Sequence, residues 1–203
     1  MTWPVPGGWL ERLGAGPAVI EARSRGIAAD LAAARWSGVE SQLAAAVVYA
    51  GGDPGLLESI SIGGQVPTGA ERVIADVGMI RAGLRGAAAV AVAVEAAGAA
   101  ELAHQTGTTR SAAGMRLLWD EFGRDGLVVI GNAPTALLAT LDLASKAPPA
   151  FVIATCPGFT LAETAKSALA ESGLSHLVVR GTRGGSGLAA AAANVLLRQP
   201  GGR

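Results

Sequence analysis

Residues 126–138, GLVVIGNAPTALL, hold a strand, a sharp turn and the start of a helix. Leu127–Ile130 is a continuous apolar run, which is typical of a strand buried on both faces of a parallel sheet. Gly131 permits a tight turn, Asn132 can cap a helix, and Pro134 suits the first helical turn. The stretch therefore predicts a βα unit. The unpaired first amides of its helix would lie at the carboxyl edge of the sheet, where open α/β sheets bind ligands.

The same alternation of strand, turn and helix continues along the chain. It predicts strands at 72–76, 89–94, 127–130, 151–155 and 177–180, with a weaker candidate at 56–62. It predicts helices at 17–35, 38–50, 108–122, 136–143, 161–170 and 188–197. We expect one α/β domain over 17–198, between an irregular arm at 1–16 and a flexible tail at 199–203. Its sheet should be doubly wound, flavodoxin-like and mainly parallel, with about five strands and helices on both faces.

Composition excludes several classes of function. The chain has 203 residues with 16 basic and 16 acidic side chains, so it has no global field for nucleic acid or an anionic membrane. Cys156 is the single cysteine, which excludes an intrachain disulfide and a cysteine-built metal site. The first residues do not form a secretory signal, and the apolar windows are shorter than the ~20 residues that cross a bilayer. We expect a soluble, cytoplasmic protein.

Polar residues follow the predicted strands and would meet at one edge of the sheet. They are Asp76, Thr108 to Ser111, Asn132 with Thr135, and Arg183 to Ser186. The glycine-rich turn at 181–187, GTRGGSG, could cradle an anion, and Ser186 could cap the following helix. The turn is not a Walker loop, and no GxGxxG follows the first strand, so a nucleotide site is weakly supported.

Each of these residues also has a structural interpretation. Asp76 can be a cap or turn former, and Arg110 can pair with Glu121 or Asp120 at the surface. Tyr49 can be a helix residue with its ring in the core and its hydroxyl at the rim, Cys156 a small buried side chain, and His176 a surface residue. His104 and His176 are the only histidines, and no HExxH, paired carboxylates or nucleophile elbow is present. Hydrolysis and metal catalysis are therefore poorly supported.

Several motifs, taken in order, resemble one family. They are DVGMIRAG at 76–83, TTRSA at 108–112, GNAPTAL at 131–137, PGF with AETAKSAL within 157–169, and RGTRGGSGLAAAAAN at 180–194. Together they resemble the precorrin-8X methylmutase (precorrin isomerase) family of cobalamin biosynthesis. The resemblance covers roughly 73–197, with a weaker match back to the helix around Ile20.

The resemblance implies an α/β homodimer that moves a methyl group from carbon 11 to carbon 12 of a corrin-type macrocycle. The substrate would be precorrin-8X or its cobalt form, and the product hydrogenobyrinate or cobyrinate. It implies no separate cofactor, no metal ligand, and a site near the subunit interface. Arg110, Arg183 and the amides of the Gly131 and Gly184 turns would suit its carboxylates. The implied substrate-binding residues are Ser24, Asp76, Met79, Thr109, Arg110, Asn132, Thr135, Arg183, Gly184 and Ser186.

The chain departs from the family at the residue regarded as the proton donor. Family members carry a histidine on the second helix, in a segment like MIHACGM, and aligning it on VVYAGGD places Tyr49 at that position. A phenol has an unperturbed pKa of ~10 against ~6.5 for imidazole, so it is a much weaker acid. The family's PVGF turn reads CPGF, its basic residue after Gly181 is Thr182, and the segment at 63–70 is shorter. Two hypotheses follow: a working methylmutase that uses Tyr49, or a degenerate member that binds or carries a corrinoid without turnover.

Overall fold

The structure is a computed structural model that describes residues 16–86 and 88–197. The predicted N-terminal arm, apart from Gly16, and the predicted tail at 199–203 lie outside these residues. None of the helices among the described residues is long and apolar enough to cross a membrane.

Six strands within the described residues form one sheet. They are β1 (Ile60–Gly63), β2 (Arg72–Ala75), β3 (Ala89–Val92), β4 (Leu127–Ile130), β5 (Phe151–Ala154) and β6 (His176–Val179). The order across the sheet is β1-β6-β5-β4-β2-β3, and every neighbouring pair is parallel except β1 with β6. Without β1, this is the flavodoxin-like order, so the predicted α/β class is confirmed.

The edge strand β1 runs antiparallel to β6, so the sheet is mainly parallel, as predicted. The stretch predicted as one weak strand at 56–62 divides into a short helix, α3 (Leu56–Ser59), and β1. Asp53 starts this helix, because its carboxylate accepts the amide hydrogen of Gly55 at 2.8 Å and closes a turn. The chain therefore turns sharply after α2 before it enters β1 at the sheet edge.

The other helices cover both faces of the sheet. They are α1 (Pro17–Ala33), α2 (Gly38–Gly51), α4 (Gly78–Gly83), α5 (Ala99–Thr106), α6 (Arg110–Leu118), α7 (Pro134–Ala144), α8 (Ala162–Glu171) and α9 (Ser186–Leu196). Neither α4 nor α5 was predicted, since α4 has six residues and α5 follows an alanine- and glycine-rich segment without apolar periodicity. On one face α1 packs on α2, α2 on α9 and α9 on α4, so these four helices form a row. Helices α6, α7 and α8 cover the other face.

Strand β4 is buried on both faces, as its apolar run predicts. Leu127 and Val129 belong to the core under α1, α2 and α9, while Val128 and Ile130 belong to the core under α6, α7 and α8. All four side chains are at most 1% exposed. Because successive side chains of a strand point to opposite faces of the sheet, two residues of β4 belong to each of the two cores.

Asp76 joins the two central strands at the point where the strand order reverses. It follows β2 and is completely buried, and its Oδ1 accepts the amide of Gly131 at 3.1 Å. Its Oδ2 accepts the amides of Asn132 at 2.8 Å and Ala133 at 2.6 Å. Burial raises the pKa of the Asp76 carboxyl above its usual value, and the three amide donors oppose that rise. The amides of the Gly131 turn, which the resemblance suggested for substrate carboxylates, are therefore already bonded to the protein's own carboxylate.

Asn132 does not cap the helix, contrary to the sequence interpretation. Ala133 is the N-cap of α7 and makes no side-chain capping bond. The Asp76 carboxylate accepts the amides of Asn132 and Ala133, which precede the first helical residue, and the Asn132 side chain is exposed to solvent.

We expect Asp76→Asn to lower the free energy of unfolding by about 1–3 kcal/mol, because one acceptor oxygen becomes an amide nitrogen that faces a backbone N–H. Chemical denaturation of the purified variant would measure the change. Asp142→Asn is the matched control, since Asp142 is 70% exposed and its one ion pair, to Arg116, spans 3.5 Å. The control should change stability by less than about 0.5 kcal/mol. Equal effects of the two substitutions would contradict this role of Asp76.

Candidate functional site

Tyr49 lies in the last turn of α2, where its ring packs against the core and remains partly exposed. Gly52 ends this helix in the left-handed conformation with φ 61°, which the sequence predicted from the Gly51–Gly52 pair. The guanidinium of Arg25, on α1, lies 4.5 Å from the centre of the Tyr49 ring. The phenol hydroxyl has no hydrogen-bond partner within residues 16–86 and 88–197. It is therefore available to a ligand.

Two cavities adjoin Tyr49 and share both Tyr49 and Ala50 as lining residues. The first, the α1 cavity, has a volume of about 530 Å³ and contains Ser24. The second, the α9 cavity, has a volume of about 500 Å³ and contains Met79. Each volume falls in the range of small-molecule sites. The structure therefore brings the predicted residues Ser24, Tyr49 and Met79 to one region.

The α1 cavity is lined mainly by apolar side chains of α1 and α2. Its lining residues are Ser24, Ile27, Ala28, Leu31, Val48, Tyr49, Ala50, Gly52 and Pro54. The Ser24 hydroxyl donates to the Ile20 carbonyl at 2.9 Å, so it can offer a ligand only its acceptor lone pair. Such a wall suits the apolar surface of a ring system.

Arg183 does not point freely into either cavity. Its guanidinium forms an ion pair with Asp53 and donates to the Gly55 carbonyl at 3.0 Å and to the Ser59 hydroxyl at 2.8 Å. It therefore clamps the segment that follows α2 to the turn that precedes α9. Substrate binding by Arg183 stays a prediction, and it would require these contacts to be exchanged for a substrate carboxylate.

Lys166 holds the turn before α9, a role that the sequence interpretation missed. It lies on α8, is completely buried, and its Nζ donates to the Arg183 carbonyl at 3.0 Å. Burial lowers its pKa, and burial raises the pKa of the nearby Cys156 thiol to about 11. The sequence carried a usable signal. The buried positions of α8 are 162, 165, 166 and 169, which have the spacing of one helix face, and a lysine on a buried helix face is unusual.

The turn before α9 is also tied to the end of β5. The Thr155 hydroxyl donates to the Gly185 carbonyl at 2.9 Å, and the Gly185 amide donates to the Thr155 carbonyl at 2.6 Å. Gly184, at φ 153°, has room for no side chain, because an added Cβ would overlap the Thr155 carbonyl. Ser186 does not cap α9 as predicted, since Gly185 is the N-cap and makes no side-chain bond. The Ser186 hydroxyl oxygen is buried with no partner among the described residues.

Thr109 and Thr135 couple the starts of α6 and α7 through a hydrogen bond of 2.7 Å between their hydroxyls. Thr109 also caps α6, because its oxygen accepts the Ala112 amide at 3.3 Å.

Arg110 is exposed and makes no ion pair within the described residues, so the pairing with Glu121 or Asp120 considered above is not formed there. None of these residues, nor Asn132, lines the two cavities beside Tyr49.

His176 is buried, so its prediction as a surface residue was wrong. It is the first residue of β6 and 5% exposed, because β1 pairs with it and Gly63 lies against its ring. Its Nδ1 bonds the Leu174 carbonyl at 2.8 Å, which leaves Nε2 buried without a partner among the described residues. Cys156 is buried, as predicted. Neither side chain reaches the cavities beside Tyr49.

Fold and cavities together define a flavodoxin-like α/β domain with two cavities in the helix layer beside Tyr49. A family model described as Precorrin-8X methylmutase (CbiC) matches residues 19–199. The chain belongs to the precorrin-8X methylmutase family.

Known proteins agree with this assignment. The chain is 40% identical over 129 residues to the Precorrin-8X methylmutase of Pseudomonas aeruginosa, a match that covers 62% of this chain and 61% of that protein. It is 40% identical over 126 residues to the Cobalamin biosynthesis protein CbiHC of Archaeoglobus fulgidus, which covers 62% of this chain and 26% of that protein. These matches span less than two thirds of each curated relative. The solved precorrin-8X methyl mutase of Thermus thermophilus superposes with a TM-score of 0.75 at 27% identity, over 89% of this chain and 94% of that one.

We expect Arg183→Ala to loosen the segment at 53–59, because three contacts of the guanidinium are lost. Hydrogen exchange at residues 56–59 should become faster, while the strands keep their protection. Arg116→Ala is the control, since Arg116 has similar exposure, 46%, and one ion pair of 3.5 Å on the opposite face of the sheet. Unchanged exchange at 56–59 would show that Arg183 does not hold this segment.

Proposed function

We propose that this protein is an isomerase that moves a methyl group from carbon 11 to carbon 12 of precorrin-8X, or of cobalt-precorrin-8, to give hydrogenobyrinate or cobyrinate. Family membership and the relatives named as methylmutases support this reaction. The observation that carries it is the position of Tyr49. An unpaired hydroxyl lies beside two cavities of about 530 and 500 Å³, at the residue that the resemblance aligns with the family's proton donor.

The reaction conserves every atom of the substrate, since one carbon–carbon bond breaks and another forms within the same ring. It needs no oxidant, reductant or second substrate. The protein therefore has to hold one conformation of the macrocycle and stabilise the charge that develops on the ring as the methyl group moves. Tyr49 would supply the second contribution by donating a hydrogen bond or a proton to a ring nitrogen.

We propose that the remaining site residues contribute to recognition. Ser24 and Met79 line the cavities and would contact the ring. Arg110, whose guanidinium is unpaired among the described residues, would bind a carboxylate beside Thr109, Thr135 and Asn132. Asp76 would act indirectly, because it is buried and fixes the Asn132 backbone. Arg183, Gly184 and Ser186 belong to the turn that shapes the wall next to α9.

We propose a homodimer in which α1 contributes to the interface. Val19, Ile20 and Ile27 on this helix are 58%, 39% and 55% exposed. Ile27 also lines the α1 cavity beside Tyr49. A second copy placed on this face would bury the apolar residues and close the cavity on its solvent side, giving a large flat substrate a more complete enclosure.

We expect the protein to sediment as a dimer at micromolar concentration, and Ile20→Glu with Ile27→Glu to shift it to the monomer of 20.1 kDa. Charges placed in the interface would cost at least ~2 kcal/mol of association free energy. Leu117→Glu is the control, because Leu117 is 48% exposed on α6. A single 20 kDa species in the wild type would contradict the proposed dimer.

Incubation with precorrin-8X, followed by the absorbance change to the corrin product, tests the proposed reaction directly. We expect slow turnover by the wild type and a rate higher by ~10²–10⁴-fold for Tyr49→His, because imidazole titrates near neutral pH. Tyr49→Phe keeps the ring and removes the hydroxyl, so it should lower turnover. Unaltered turnover in Tyr49→Phe would show that the hydroxyl has no role in catalysis and that Tyr49 only lines the cavities.

The same assay separates the catalytic proposal from the alternative of a degenerate corrinoid binder. A binder without turnover would bind the corrinoid but convert no precorrin-8X, and Tyr49→His would not create activity. A single acid cannot compensate for a macrocycle that is held in an unproductive geometry.

A further inference from the structure

The α9 cavity has a floor of small side chains and an arginine at each end. Its lining residues are Arg25, Ala46, Tyr49, Ala50, Met79, Gly83, Arg85, Gly187, Ala190, Ala191, Asn194 and Val195. Helices α1, α2, α9 and α4 form a row in that order, and the cavity takes residues from all four. Arg25 comes from α1 and Arg85 directly follows α4, so the two cations mark opposite ends of the floor.

Arg85 has a fixed backbone and an unpaired side chain. Its amide donates to Oδ1 of Asn194 at 2.7 Å, and Nδ2 of Asn194 donates to the Gly83 carbonyl at 2.9 Å. Asn194 thereby ties the segment after α4 to α9. The Arg85 guanidinium makes no hydrogen bond or ion pair with any residue that the structure describes. It offers a full positive charge to the cavity.

Arg25 is oriented by contacts on two sides. Its Nε and Nη2 donate to the Glu21 carboxylate at 3.0 and 2.8 Å, and its plane lies 4.5 Å from the centre of the Tyr49 ring. No described residue accepts from its Nη1. The guanidinium is thus held in place with unused N–H donors beside the proposed catalytic hydroxyl.

We propose that Arg25 and Arg85 bind two carboxylate side chains at the rim of the macrocycle, which lies flat on the alanine floor between them. This inference rests on the proposed function, and it assigns recognition to residues that were not among the predicted ligands. Arginine matches a carboxylate with paired N–H donors, and small floor residues let a planar ring approach the helices closely. Arg183 cannot take this role without breaking its contacts to Asp53, Gly55 and Ser59.

Titration with hydrogenobyrinate and with a corrin of the same ring whose side-chain carboxylates are amidated tests the proposal. We expect Arg85→Gln and Arg25→Gln each to raise the Kd for hydrogenobyrinate by about 10- to 100-fold, and to leave the Kd for the amidated corrin within about threefold. Arg85→Lys should recover part of the affinity, because it keeps the charge but loses the paired donors.

Arg116→Gln is the matched control, because Arg116 lies on α6 across the sheet and should leave both Kd values unchanged. An unchanged Kd for hydrogenobyrinate in Arg85→Gln and Arg25→Gln, with tight binding by the wild type, would overturn this inference and leave the proposed function standing. Equal losses for the charged and the amidated corrin would also overturn it. A folded wild type that binds neither corrin would overturn the proposed function together with the inference.

Discussion

The contact between the Asp76 carboxylate and three successive amides is the constraint on which the rest of the structure depends. It lies between β2 and β4, where the strand order reverses and where a flavodoxin-like sheet normally opens a crevice for ligands. Because the protein's own carboxylate already accepts the amides of residues 131–133, those amides are not free for a ligand. The cavities that adjoin Tyr49 lie instead in the helix layer, beside α2 and α9.

A second set of contacts fixes the turn before α9, the helix whose Gly187 lines the α9 cavity. Lys166 holds the Arg183 carbonyl from the core, Thr155 holds Gly185 from the end of β5, and the Arg183 side chain reaches out to Asp53. A buried ammonium is costly in an apolar interior, so Lys166 is retained there at the expense of stability. Its hydrogen bond to the Arg183 carbonyl holds the glycine-rich turn in one conformation, because glycines alone would leave the turn with little conformational preference.

The sequence predicted what local patterns control. The run at Leu127–Ile130 specified a strand buried on both faces, and the Gly51–Gly52 pair specified the end of α2. It failed where a partner distant in the chain decides the outcome. His176 is buried because β1 covers it, and Arg183 is occupied because Asp53 lies beside it. The position of Tyr49 followed from its helix, whereas the grouping of Arg25 and Arg85 around the α9 cavity depends on helix packing that no single motif encodes.

The surroundings of Tyr49 explain how the side chain at this position can vary without damage to the fold. The helix is specified by Leu43, Val47 and Val48, which are buried, and by the glycine cap that follows; Tyr49 adds only a half-buried ring at the rim. Its hydroxyl supports no other group among the described residues, so nothing in the scaffold depends on it. The residues that stabilise this helix are therefore different from the residue that faces the cavities. If Tyr49 has the proposed role, its substitution would alter turnover while the cavities, and the arginines that adjoin the α9 cavity, keep their places.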